Sequence, residues 1–380
     1  MPNSRHTTKV AFTHAGRDQI TNLQSSVSAI SAVEAIFAIG EPQSYSDPVV
    51  TATTEPADPR LLNYLNGYRD AVNNIVGIIG NGFTAQRADA HRSAELTEYR
   101  DDAQGTWGLH ATGVLTSKYT GRGVRVAALV DGLDTGHPDW AGRHVEVKSF
   151  VPGELPSEGG ASGTHYIGTA FGTAHPSTGP RYACAPDVEL FVAKVLSRSG
   201  TGSRTAIFAA IDWAIANNCR VILAPLGWGG PGPDGTFEIL ARRVASRGGL
   251  LISGAGNNAS RPTDFGFVVS PAVCQSVIGV GSIDSRLKLP PWTPRSSQPR
   301  NAIDLVAPGV NLRSSVPRPQ LYTAWSGSST AAAYVAGIAA LWSESQPNAR
   351  VHELWNALVS HARPLAQPES DVGTGLVQAP

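Results

Sequence analysis

Sulfur is scarce in this sequence. Its 380 residues include three cysteines, Cys184, Cys219 and Cys274, and a single methionine, Met1. The cysteines lie far apart, without the paired spacing of a zinc site or the even count of a disulfide framework, so they read as small buried hydrophobes. An excess of charge is missing too, because 30 basic residues balance 30 acidic ones. Neither sign gathers into a long run, which removes the electrostatic footprint of a partner such as nucleic acid or an anionic membrane. No segment approaches the roughly 20 consecutive apolar residues of a membrane span. The opening MPNSRHTTKVAFTHAG has no apolar run of signal-peptide type, so a cytoplasmic location is expected. Aspartates are scattered through loops in the manner of solvated side chains, and neither a metal site nor a cofactor is expected.

What is present is length and pattern. The chain is long enough for one large α/β domain and a smaller appendage. Residues Lys9 to Gly40 read strand, helix, strand. A Pro- and Thr-rich link follows, and from Leu61 to Ile79 the residues Leu62, Leu65, Tyr68 and Val72 fall at helical spacing. The polar stretch Thr84 to Gln104 marks a boundary between an N-terminal region, residues 1–100, and a main domain, residues 105–380. From Val124 onward short apolar runs (VRVAALV, VELFVAKVL, RVILAPL, LLISGAG, SVIGVGSI) alternate with helical stretches (SRTAIFAAIDWAIANN, TFEILARRVASR, STAAAYVAGIAALWSES). Most of the apolar runs lack polar alternation, as expected of a parallel sheet covered on both faces. The pattern predicts a three-layer, doubly wound α/β domain.

Four stretches occur in an order that resembles the subtilisin-like serine proteases, the subtilase family. GRGVRVAALVDGLDTGHPDW is similar to the family's first block, a strand ending in the catalytic Asp with a downstream His-Pro-Asp. SGTHYIGTAFG resembles the second block, ordinarily His-Gly-Thr-His. LLISGAGNNAS resembles the strand and turn that present the oxyanion-hole Asn, and WSGSSTAAAYVAGIAALW the nucleophile block. The resemblance runs from about Trp107 to about Trp342. It implies that Ser329 holds the nucleophile position, at the start of a long helix, and Asn257 the position of the side-chain donor to an oxyanion.

The same register carries departures. Ser162 stands in the place of the catalytic His, and His165 matches the family's second, noncatalytic histidine. Gly132, Asp134 and His137-Pro138-Asp139 fix the first block so that Val130 stands in the place of the catalytic Asp, with Asp131 one position late. Adjacent strand residues face opposite ways, so Asp131 is expected to turn from the site unless a bulge intervenes. His165, one helical turn below Ser162, is expected to be a core histidine. A serine at 162 has no pKa suited to accepting the proton of Ser329. Thr330, Ala333 and Tyr334 also replace the residues usual around the nucleophile.

The resemblance further implies a cleft in which an extended peptide pairs with two edges. Here these correspond to Ser199 to Ser203, with Gly200 and Gly202, and to Ala224 to Trp228, with Pro225, Leu226 and Gly227. Pro225 replaces a residue with a backbone donor. The N-terminal region is similar to the propeptides of the family in its strand-helix-strand start, or is an unrelated α/β appendage. The sequence therefore points to a catalytically impaired, pseudoprotease member whose partner is a peptide or protein ligand, an active protease among the candidates. The alternative is a serine hydrolase using Ser329 with a noncanonical base or with groups supplied by a partner.

Overall fold

The computed structural model describes residues 98–157, 160–228, 230, 232–296 and 302–380. The strand-helix-strand unit expected at residues 9–40 and the helix expected at 61–79 lie outside the described residues. A short helix, α1 (Trp107–Ala111), precedes the first strand, β1 (Arg125–Val130). There follow β2 (Val145–Ser149), α2 (Ala161–Phe171), β3 (Glu189–Lys194), α3 (Arg204–Ala216), β4 (Val221–Leu223), α4 (Gly235–Ser246), β5 (Leu250–Gly254) and β6 (Ile278–Ile283). The chain continues through β7 (Leu305–Pro308), β8 (Leu312–Ser315), β9 (Tyr322–Trp325), α5 (Ser328–Ser345), α6 (Val351–Ser360) and α7 (Glu369–Val372).

Seven strands pair in the order β2-β3-β1-β4-β5-β6-β7, and every pairing is parallel. β8 and β9 form a separate antiparallel hairpin. Helices cover both faces of the large sheet, so the expected three-layer, doubly wound parallel architecture is the one observed. The alternation of β1 shows how the layers are sorted. Val126, Ala128 and Val130 enter the core shared with α2 and α5, whereas Ala127 and Leu129 enter the core under α3 and α4. A strand buried on both faces needs no polar alternation, which explains its unbroken apolar run. Each such side chain contributes about 1.5–3 kcal/mol of burial for Val or Leu.

α5 is apolar almost all round, as a central helix must be. Every residue from Thr330 to Ser343 is buried, and the helix packs on α2 and on β4 to β7. Its small residues, chiefly alanines, admit that close approach. β2 was missed by reading apolar runs, because VEVKS is a half-exposed edge strand whose residues alternate in burial. β1 lies between β3 and β4, and there the sheet changes winding direction. The crevice beyond the carboxyl ends of strands at such a switch point is where open α/β sheets place ligands. Among the described residues no helix is long and apolar enough to cross a membrane.

Candidate functional site

The chain reaches α5 through a turn pinned from three sides. The Gly327 amide donates to the Gly309 carbonyl at 2.8 Å. The Ser328 amide donates to Asn257 Oδ1 at 2.9 Å, and Ser328 Oγ accepts from the Gly256 amide at 3.0 Å. Ser329 is thus the second residue of the helix, half-buried, beside the exposed Asn257 that follows β5. Because Asn257 Oδ1 is engaged by the Ser328 amide, its Nδ2 is the group left to face outward as a donor. The Ser329 hydroxyl itself donates to the Pro225 carbonyl at 3.3 Å. Its proton therefore points to a carbonyl, which cannot act as a base at neutral pH.

Val130, the last residue of β1, is 2% exposed and faces the α2 and α5 side of the sheet, the side that carries Ser162 and Ser329. Asp131 departs from the expectation that it turns away. Strand geometry ends at Val130, and Gly132 adopts a φ of 132°, so the period-two rule no longer governs residue 131. Its Oδ1 instead accepts from the Gly163 amide in the first turn of α2 at 2.6 Å, a carboxylate at a helix N-terminus. The Asp131 carbonyl is held by Lys194 Nζ at 2.7 Å. That fully buried ammonium also donates to the Leu196 carbonyl at 2.9 Å and pairs with Glu154 at 3.0 Å.

Ser162 is the second residue of α2 and half-buried. One turn on, His165 faces the core. Its Nε2 lies 3.0 Å from the Leu312 carbonyl and its ring stacks on Trp325 at 4.7 Å. Burial pushes its pKa down to about 4, against the opposing pull of the Leu312 and Thr323 carbonyls, so it is neutral at pH 7. Sequence reading passed over Tyr166. Its ring lies edge-on to His165 at 6.1 Å and at 6.5 Å from Trp325. Burial, seconded by the Asp131 charge, raises its pKa above the ordinary value against the opposing effect of Ser329. The signal was available: Tyr166 is four residues past Ser162, hence on the same helix face.

The two sequence-read edges flank this cluster. Ser199 to Ser203 is a turn closed on itself, with the Ser197 amide donating to the Thr201 carbonyl at 2.7 Å and Leu196 bridging Gly202. Gly200 takes a left-handed φ of 77° in open space, whereas a Cβ on Gly202 would meet Leu196 Cδ2 at 2.7 Å and the Val195 carbonyl at 2.9 Å. A side chain at Gly202 would thus break the turn rather than fill the cleft. On the other side, Pro225 presents its carbonyl to Ser329, the Leu226 carbonyl accepts from Ser253 Oγ at 3.2 Å, and Gly227 leads to Trp228, which bridges Ser270. The Trp228 indole reaches Asp234, and Asp234 pairs with Arg204 at 2.6 Å, which ties the far ends of the two edges together. Cys184, Cys219 and Cys274 are all buried and unpaired, and burial raises each thiol's pKa.

A serine at the start of a central helix, an asparagine amide beside it and a parallel sheet that switches direction under both define a protein of subtilisin-like architecture. The chain belongs to the subtilase family, whose model matches residues 121–376. It is 36% identical over 261 residues to the M-protease of Shouchella clausii, covering 68% of this chain and 64% of that protein. Against Subtilisin Savinase of Lederbergia lenta the identity is again 36% over 261 residues, covering 68% of this chain and 90% of the relative. Subtilisin E of Bacillus subtilis is 34% identical over 269 residues, covering 70% of this chain and 66% of the relative. The chain thus spans somewhat less than two thirds of the M-protease it matches.

Proposed function

We propose that this chain is a catalytically impaired subtilase, a pseudoprotease, that binds an extended peptide or a protein partner in its cleft. In this reading Val130 and Ser162 stand in the places of the family's catalytic Asp and His. The observation that carries it is the Ser329 hydroxyl bonded to the Pro225 carbonyl at 3.3 Å, while His165, on the helix that would present a base, is sequestered against Leu312 and Trp325. In subtilisin, loss of the triad Ser or His alone lowers kcat by about 2 × 10⁶, leaving roughly 10³–10⁴ over water from binding and the oxyanion hole. A chain lacking both base and orienter keeps that residue of activity at most. Peptide binding does not depend on the triad, because main-chain hydrogen bonds along an edge contribute about 0.5–1.5 kcal/mol each.

A second reading keeps the relatives' peptidase activity. The Shouchella clausii relative is named a protease, and Ser329, Asn257 and a carboxylate at Asp131 remain at one end of the sheet. Reaction with a fluorophosphonate, together with casein hydrolysis, separates the two. The impaired reading expects no labelling above a Ser329→Ala control and no hydrolysis. Labelling or turnover that Ser329→Ala abolishes would establish the second.

A further inference from the structure

The Ala224 amide reaches the Ile252 carbonyl at 2.9 Å, and past that bond the extensions of β4 and β5 are joined by other means. Ser253 Oγ spans to the Leu226 carbonyl at 3.2 Å. Farther out a third stretch of chain is anchored to both. The Val269 amide donates to the Ala255 carbonyl at 3.0 Å, and the Ser270 carbonyl accepts from the Trp228 amide at 2.9 Å.

The Val269 side chain stands between the two extensions. A Cβ on Gly227 would meet its Cγ2 at 2.8 Å, and a Cβ on Gly256 would meet Cγ1 at 3.2 Å and Cγ2 at 3.4 Å. One isopropyl group is thus within reach of both walls, and it is stiff at χ1. Val268 and Ser270 are buried, whereas Val269 is half-buried. With a wall on each side and its own main chain behind, the surface that Val269 keeps open faces the crevice between Gly227 and Gly256.

Both walls lead to the serine. Two residues before Gly227, the Pro225 carbonyl accepts from Ser329 Oγ at 3.3 Å. The Gly256 amide, directly before Asn257, donates to Ser328 Oγ at 3.0 Å. A peptide strand laid along the Ala224 to Trp228 edge therefore crosses the mouth of this crevice. Successive side chains of a strand alternate in direction, so one of them points in. Pro225, Gly227, Gly256 and Val269 bring no charge to meet it.

We infer that this crevice receives one side chain of the bound peptide and that Val269, as its floor, is a specificity-determining residue that admits glycine or alanine and turns away larger or charged residues. The inference rests on reading the cleft as a peptide-binding site and adds what the peptide must carry. A charged group would lose its water there without gaining a partner. A branched or aromatic one would press the valine against two backbone walls that cannot rotate aside.

Two measurements on the full chain test it. The first asks where Val269 stands. Gly227→Ala is expected to lower Tm by about 2–12 °C in the wild type and by clearly less in Val269→Ala, where Cγ2 is gone. Equal losses in the two backgrounds overturn the inference. The second selects a display library of random ten-residue peptides on the wild type and on Val269→Gly. The aligned wild-type sequences are expected to hold glycine or alanine at one position. Placing phenylalanine there in a selected, fluorescein-labelled peptide should weaken binding to the wild type about tenfold or more, read by fluorescence polarisation, and leave binding to Val269→Gly unchanged or tighter. An alignment with no such position, or a penalty equal in both proteins, overturns the inference while peptide binding stands. Selection of no peptide by either protein removes the functional reading and the inference with it. Should Val269→Gly fail to fold, the same comparison with Val269→Ala decides.

Discussion

Gly163→Ala adds one methyl group, and the structure places it in one of the most crowded spots near the site. A Cβ there would lie 2.1 Å from the Gly132 carbonyl oxygen, 2.7 Å from Asp131 Oδ1 and 2.9 Å from Val130 Cβ. Carbon atoms at ease stand about 3.5–4.0 Å apart, so the carbonyl contact is short by more than about 1 Å, and a backbone atom cannot rotate aside. Three effects compete. Alanine in place of glycine favours a helix by about 0.8–1 kcal/mol. Overpacking costs about 1–3 kcal/mol. Moving α2 away from β1 also stretches the 2.6 Å bond from the Gly163 amide to Asp131, a charge-assisted contact worth about 1.5–3 kcal/mol. The clash and the lost bond outweigh the propensity, and the net expectation is destabilisation of about 2–4 kcal/mol. In a domain of this size each kcal/mol lowers Tm by about 2–4 °C, so a fall of roughly 5–15 °C should appear by calorimetry or thermal circular dichroism. Gly235→Ala is the control, since it opens α4 with no atom within 4 Å of its Cβ position and should leave Tm unchanged or slightly raised. A Gly163→Ala protein as stable as that control would refute the close seating of α2 on the end of β1, and with it the contact of Asp131 with the Gly163 amide.

Two further outcomes concern buried charge. Asp371 is 1% exposed and receives Arg295 through Nε at 2.8 Å and Nη2 at 2.6 Å, with Arg261 as a second partner. Burial raises its pKa, but Arg295 and then Arg261 outweigh burial and hold it below the usual carboxylate range. The stabilisation is therefore complete above the unfolded value of about 3.9 and is lost as pH falls below it. Asp371→Ala strands two guanidiniums and should cost about 3 kcal/mol in urea unfolding at pH 7, less at pH 3; equal stability of the two proteins at pH 7 would count against the cluster. His165, with a folded pKa of about 4, takes up its proton far less readily than the unfolded chain, where the value is about 6.5. Folding stability is then full above pH 6.5 and falls by on the order of 3 kcal/mol toward pH 4, a slope that His165→Gln should flatten. An unchanged slope in that variant would place the titrating group elsewhere.

The fold was legible because it is written in local periodicities. β1, β3, β5 and β6 are unbroken apolar runs, and α5 is a long stretch of small apolar residues, so strands covered on both faces and a central helix follow from spacing alone. β2 escaped because five residues of an edge strand carry too few apolar side chains to stand out. At the site, the positions of Ser329 and Asn257 followed from ordered motifs, and His165 was read as a core residue from its place one turn below Ser162.

The sequence by itself determined the architecture, because strand and helix periods are properties of short stretches, and it states outright that residue 162 is a serine and residue 130 a valine. Tertiary structure alone decided where Asp131 points, since strand alternation stops at Val130 and the direction afterwards depends on Gly132 and on the Gly163 amide thirty-two residues away. It alone decided, too, that the Ser329 proton goes to the Pro225 carbonyl. These contacts join groups from different elements, 32 and 104 residues apart in the chain, and no local period encodes a distance that only the packing of α2 and α5 on the sheet creates.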